Sequence, residues 1–183
     1  LRKQVHKRAS TFSFRCLSLL LIHAFIPCAS WTAELCSERE IRTEIVIETS
    51  ADRIWKKLCD FEQYPEWHTY LLSVEGKAEP KSKIHCVALN ADSSQTTFSA
   101  RILEVIPNHT LSWGGSLGFL FNAKHYFILE ALTPSTVRLI QGEYWKGLFG
   151  KSYGKKIYLE TYQKFVTMNE RLKLLLENAP TTE

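Results

Sequence analysis

Acidic side chains are missing from the first 30 residues, which carry Arg2, Lys3, Lys7, Arg8 and Arg15. The chain's net charge of +4 therefore belongs to that segment: residues 31–183 hold 18 basic and 19 acidic side chains, a net of −1. A body without basic excess has no electrostatic footprint for nucleic acid. Long apolar runs are also missing. The longest, residues 16–25, contains His23 and falls short of the ~20 residues that span a bilayer. The five cysteines stand at positions 16, 28, 36, 59 and 86, with no spacing that suggests a zinc site or a disulfide framework. Cys59 in an apolar helix and Cys86 in a strand read as small core hydrophobes. No dinucleotide fingerprint, phosphate loop or nucleophile elbow occurs. His68 has no second ligand at metal spacing, so no metal and no cofactor are expected.

Residues 1–30 have the order of a secretory leader: a basic stretch, the apolar run, then Cys28, Ala29 and Ser30 as small residues before a cleavage point. The expected organisation is a leader over 1–30, a linker over 31–40, one domain over 41–178 and a polar tail over 179–183. If this segment is a signal peptide the protein is expected to be secreted or periplasmic, and otherwise cytoplasmic.

The domain begins with a strand over 41–48, with Ile41, Ile45 and Ile47 on one face and Arg42, Glu44, Val46 and Glu48 on the other. Thr49 or Ser50 caps a helix over 51–59 with Ile54, Trp55 and Leu58 inward, and the segment 61–67 starts a second short helix. Six more strands follow near 71–76, 83–89, 97–105, 110–114, 123–130 and 136–143. Short turns such as Pro107-Asn108 and Thr133-Pro134 join them as antiparallel hairpins. A glycine-punctuated loop over 142–150 then leads into a helix free of proline and glycine over 155–177. Ile157, Thr161, Phe165, Met168, Leu172 and Leu175 form its buried stripe. The class is α+β: a curved seven-stranded antiparallel sheet around one long helix, with a cavity between the two layers.

The order of these pieces resembles the START-like SRPBCC superfamily, closest to its polyketide cyclase/dehydrase and lipid-transport branch. The resemblance rests on Thr49 to Asp60, then Tyr64-Pro65-Glu66-Trp67-His68, then Phe98 to Val105 with Pro107, then Leu111 to Gly115. It continues through His125 to Leu129, Thr136-Val137-Arg138, Glu143 with Gly147, and Phe165 to Lys173. It implies a helix-grip fold with a deep hydrophobic pocket, in a superfamily that includes lipid carriers, hormone receptors, aromatases and cyclases.

Strand parity places the candidate site. With Leu111 and Trp113 inward, Ser112 points outward; His125, Phe127 and Leu129 form the inward set of the next strand. The hairpin through Thr133-Pro134 then pairs Leu129 with Leu139, Phe127 with Gln141 and His125 with Glu143. The expected cavity wall is Trp113, His125, Phe127, Gln141 and Glu143, with Thr161, Phe165 and Met168 from the helix. Tyr144, Trp145 and Phe149 are expected in a loop at the pocket mouth, as a lid or a peripheral membrane contact. Arg101 points to solvent, because Phe98, Ala100 and Ile102 form the apolar parity. Three functions fit these residues. One is noncovalent binding or transport of a hydrophobic small molecule or lipid, with His125 and Glu143 orienting its polar end. Another is an aromatase, cyclase or dehydratase using His125 and Glu143 as an acid–base pair. The last is a protein-interaction domain whose pocket is filled by its own side chains, the pair then satisfying each other.

Overall fold

In the computed structural model the described residues are 39–90, 92–116, 118–147 and 155–178, the side chains of 39 and 155–157 excepted. The expected leader, the linker up to residue 38 and the tail lie outside them, as do Cys36, Phe149 and the side chain of Ile157.

Alternation of apolar and polar residues builds seven strands: β1 (Arg39–Ile47), β2 (Leu71–Glu75), β3 (Lys83–Leu89), β4 (Gln95–Ile106), β5 (Thr110–Ser116), β6 (Asn122–Thr133) and β7 (Thr136–Lys146). They form one curved antiparallel sheet in the order β1-β7-β6-β5-β4-β3-β2, so every neighbour except β1–β7 is a hairpin partner. The segment between the edge strands β1 and β2 holds α1 (Ala51–Cys59), a single 3₁₀ turn (Phe61–Gln63) and α2 (Tyr64–Trp67). The long helix α3 (Lys155–Asn178) is gripped by the sheet.

Helix ends are tied by named groups. Ser50 is the cap of α1, its Oγ accepting the Arg53 amide at 3.4 Å. The Arg53 guanidinium donates to the Leu176 carbonyl at 3.1 Å, satisfying one of the free carbonyls in the last turn of α3. Lys173 Nζ donates to the Val46 carbonyl at 2.7 Å, and Glu177 accepts the Glu48 amide at 2.8 Å. The C-terminal half of α3 is thereby fastened to the end of β1. Phe165, Met168, Leu172 and Leu176 are its buried apolar residues. Leu175, expected to complete the stripe, is only half-buried, because a step of four from Leu172 keeps better pace with 3.6 residues per turn than a step of three.

The centre of the grip is filled with aromatic side chains. Phe61, Tyr64 and Trp67 come from the short helices, and Trp113 and Phe127 from the sheet. Their ring centroids lie 4.8–6.4 Å apart in edge-on or tilted arrangements.

Two expectations fail at the end of β7. Gly142, Tyr144 and Trp145 lie in the strand and not in a loop, because the β6–β7 pairing continues to Asn122 opposite Lys146. Gly142 is strand backbone onto which the Tyr126 ring folds; Tyr126 in turn hydrogen-bonds Glu40. An added Cβ at 142 would stand 2.3 Å from the Tyr126 ring and 2.7 Å from the Ile41 carbonyl oxygen. Gly142→Ala is therefore expected to lower stability by about 1–3 kcal/mol in denaturant unfolding. Gly115→Ala, whose Cβ meets nothing nearer than 3.8 Å, should stay within about 0.5 kcal/mol of the parent.

Candidate functional site

The inward row at one end of the sheet is set by register. Trp113 of β5 lies opposite His125 of β6, and His125 lies opposite Glu143 of β7. The same hairpin puts Phe127 across from Gln141 and Leu129 across from Leu139, the pairings that parity predicts. Above this row the sheet opens into a recess of about 470 Å³ bordered by Phe98, Trp113, Phe121, Ala123, His125 and Glu143. Phe127, Gln141, Phe165 and Met168, expected on the cavity wall, are fully buried core and do not border it. Thr161 is half-buried on α3 and does not border it either. Trp145 is buried, and Tyr144 lies on the opposite face, bordering a groove with Glu40 and Lys124.

His125 is clamped on every side. Trp113 stacks on its ring at 4.7 Å and 24°, while Phe127 and Phe165 present edges at 5.1 Å. Its Nε2 lies 3.4 Å from Gln141 Nε2, an amide that can only donate, so this ring nitrogen is the acceptor and the proton sits on Nδ1. Nδ1 faces Glu143 Oε2 at 3.6 Å, beyond a good hydrogen bond. Glu143 Oε1 accepts the Trp145 indole N–H at 2.7 Å. The Glu143 side chain keeps 21% of its exposure, so its carboxylate is partly open to the recess.

Beneath the row lies a polar set that strand parity does not reveal. Asn169 of α3 donates to Thr43 Oγ1 at 3.0 Å, and Thr43 donates to the Gln141 carbonyl at 3.2 Å. Gln141 Oε1 and Asn169 Oδ1 are buried without a protein hydrogen bond. His68, at the end of α2, stacks on Tyr64 at 5.6 Å and accepts the Leu71 amide through Nδ1 at 3.1 Å. Its Nε2 is buried and unpartnered. Burial, and secondarily the nearby His125, hold the His68 imidazole well below the ordinary histidine range. The Tyr70 hydroxyl is pushed well above its usual range by burial, then by Glu143 and Cys86. Nothing in the sequence marks Tyr70, because its depth depends on how α2 and β2 dock. Ser112 faces the outer side as parity predicts, yet is completely buried there with an unpaired hydroxyl. Cys86 is fully buried and Cys59 half-buried, and burial raises each thiol to about 11, which removes both as thiolate nucleophiles at neutral pH. No His, Cys, Asp and Glu group among the described residues could hold a metal ion.

The depressed basicity of His68 makes stability depend on pH. The unfolded chain takes up a proton near pH 6.5 that the folded chain refuses, so folding loses stability as pH falls below about 6.5. Above that value the residue contributes no pH dependence. Asn at this position keeps an acceptor for the Leu71 amide and has no proton to gain. The difference in unfolding free energy between parent and His68→Asn should thus slope with pH below 6.5, by up to about 1.4 kcal/mol per pH unit, and be flat above it. Denaturant titrations between pH 4.5 and 8 check this.

A profile of the family described as polyketide cyclase / dehydrase and lipid transport matches residues 38–156. No curated protein sequence matches the chain. Among solved structures the chain is similar to the ZhuI aromatase/cyclase of a Streptomyces species, at 13% identity over 77% of this chain and 94% of that one, with a TM-score of 0.61. A START superfamily protein from Mycobacterium smegmatis is similar at 19% identity over 74% and 98%, with a TM-score of 0.58. The di-domain ARO/CYC BexL of the BE-7585A biosynthetic pathway is similar at 16% identity over 76% and 46%, with a TM-score of 0.62. At such identities these structures speak for the fold alone. With the profile spanning more than half of the chain and the helix-grip architecture in place, the chain belongs to the polyketide cyclase/dehydrase and lipid-transport family of the START-like SRPBCC superfamily.

Proposed function

We propose that this protein binds an apolar small molecule or lipid noncovalently in the recess above the Trp113–His125–Glu143 row. The observation that carries this reading is the composition of that recess: Phe98, Phe121, Trp113 and Ala123 supply apolar wall, and Glu143 is its partly exposed carboxylate. A concave apolar surface with one or two convergent polar groups is the usual form of a small-molecule site. Burial of the ligand's apolar surface would supply about 25 cal/mol per Å², and Glu143 would accept from a hydroxyl or amine at its polar end. Export, proposed from the charge and apolar order of residues 1–30, would place this binding outside the cytoplasm.

Binding stands ahead of proton transfer for a geometric reason. A general base needs a free lone pair within reach of the substrate proton. Both ring nitrogens of His125 are turned to protein groups, Gln141 on one side and Glu143 on the other. The aromatic filling of the grip favours a small recess over a deep tunnel, and it is also what a protein-interaction domain with a filled pocket would have.

Native mass spectrometry of the full chain, followed by organic extraction, is expected to show a stoichiometric apolar adduct, or an emptied site that binds an apolar fluorescent probe. Ala123→Trp, which places an indole in the recess, should weaken probe binding at least about tenfold with little change in Tm. Met168→Trp should instead lower stability by about 1–3 kcal/mol, because that position has no free volume. Absence of both adduct and probe binding would overturn the reading and leave the interaction domain in its place.

A further inference from the structure

The outer face of the sheet carries a dent of about 390 Å³ where Gly114 takes the place of an outward side chain. An added Cβ on Gly114 would stand 2.2 Å from the Ala123 carbonyl oxygen, so the position has to stay bare. Strand register sets Lys83 of β3, Arg101 of β4 and Gly114 of β5 in one row. Ser99, Ser116 and Asn122 border the same dent, and no acidic residue does. Lys83 and Arg101 are exposed and directly opposite each other, an arrangement of like charges that costs a sheet stability. Their neighbours on this face are neutralised: Arg42 pairs with Glu44 at 3.6 Å, Lys124 with Glu104 at 3.5 Å and Arg138 with Glu130 at 3.0 Å. Among the described residues no carboxylate pairs with Lys83 or Arg101. Glu75 stands in the next row, across from His85, and reaches neither. Arg101 Nη1 donates to the Lys81 carbonyl at 2.7 Å, which holds the guanidinium in place and leaves other N–H groups of its fork free.

We propose that this dent binds the phosphate group of a phosphate monoester, held between the Arg101 guanidinium and the Lys83 ammonium. Two cations without counter-charge match a dianion and would lose their mutual repulsion on binding it. The donor set favours phosphate over carboxylate. Guanidinium, ammonium, the Ser99 and Ser116 hydroxyls and the Asn122 amide offer more N–H and O–H groups than two carboxylate oxygens can accept, whereas a phosphate presents three terminal oxygens. The planar fork of arginine and the point charge of lysine both suit phosphate oxygens. Leu103 supplies apolar wall beside the charged row, room for a small organic substituent on the ester. The site lies on the opposite face of the sheet from the Trp113–His125–Glu143 row and does not rest on the reading of the recess.

Titration of the full chain with phenyl phosphate, followed by amide NMR shifts, tests it. Binding should be saturable with a Kd below about 1 mM, with the largest shifts at Ser99, Arg101 and 114–116, and phenyl acetate should bind at least about tenfold more weakly. Arg101→Gln and Lys83→Gln should each weaken binding at least about fivefold, and Arg101→Lys should fall between parent and Arg101→Gln. Ser99→Asp, which sets a carboxylate beside the two cations, should abolish binding and raise Tm at low salt, because it supplies the missing counter-charge. These side chains are exposed, so circular dichroism should show each variant folded. Phosphatidylcholine vesicles containing 20% phosphatidic acid distinguish the source of the ester: co-sedimentation lost in Arg101→Gln assigns a lipid headgroup, and phenyl phosphate binding without it assigns a soluble monoester. Absence of binding to both, shifts spread away from the dent, or equal affinity of parent, Arg101→Gln and Lys83→Gln would overturn the proposal.

Discussion

The pairing of β6 with β7 is the constraint on which the site depends. Ten paired positions, from Asn122 opposite Lys146 to Ala131 opposite Val137, hold these two strands in one register, which shifts only at Thr133 opposite Thr136. Because side chains alternate with a period of two, a slip of one residue would carry His125, Phe127 and Leu129 to the outer face and replace them with Lys124, Tyr126 and Ile128. The apolar demand of α3 prevents this: Phe165 meets the His125 ring at 5.1 Å, and Gln141 reaches Met168 and His125 together. The same register sets Tyr126 beside Gly142 on the other face, where the glycine leaves space for the ring. One hairpin thus fixes the polar row inside and the aromatic–glycine contact outside.

That register also decides how much room the grip can offer. A sheet curved around a helix leaves a cavity only where inward side chains are small or absent. Here the middle of the sheet presents Trp113, Phe127, Leu111 and Leu129, and the short helices add Phe61, Tyr64 and Trp67. These close the space between sheet and helix to interior density, and the free volume is left at the end where Ala123, Gly114 and Gly115 border the recess. A ligand that penetrated further would have to displace aromatic side chains whose burial each stabilises the fold by some ~2–3 kcal/mol. The recess can therefore admit a ligand without unfolding work, and the centre cannot.

Much of the fold could be read from the sequence because it rests on local periodicity. The seven strands, the Ser50 cap and the β6–β7 register follow from alternation and turn residues, and the aromatic parity of β5 and β6 foretold the Trp113–His125–Glu143 row. What could not be read depends on contacts between distant segments. Gly142 looks like the start of a loop, since a glycine's partner across a strand cannot be seen in one dimension; the Tyr126 ring that occupies its space is 16 residues away. Trp145 looked like a lid and is buried, because only tertiary pairing shows that β7 runs on to Lys146. Ser112 pointed outward by parity, which says which face a side chain takes and nothing about what covers that face. His68 and Tyr70 gain their altered acid–base character from the docking of α2 against the sheet, a long-range event with no periodic trace.

The buried polar atoms bear on what the recess selects. Gln141 Oε1, Asn169 Oδ1 and His68 Nε2 are desolvated without protein partners, and each such group costs roughly 1–3 kcal/mol. A chain selected for stability alone would lose least by placing aliphatic residues at these positions. Gln141 has one further effect: its amide donates to His125 Nε2, so the imidazole proton is directed at Glu143. The imidazole N–H and the Trp145 N–H both face Glu143, the indole at 2.7 Å, and orient its carboxyl group beside the apolar wall. An acceptor held by the Trp145 indole, with one side open to a mainly apolar recess, discriminates by the penalty of burying it unmatched. A purely hydrocarbon ligand would cover the carboxylate and gain nothing for its desolvation, whereas one with a hydroxyl or amine at its end would replace the lost water.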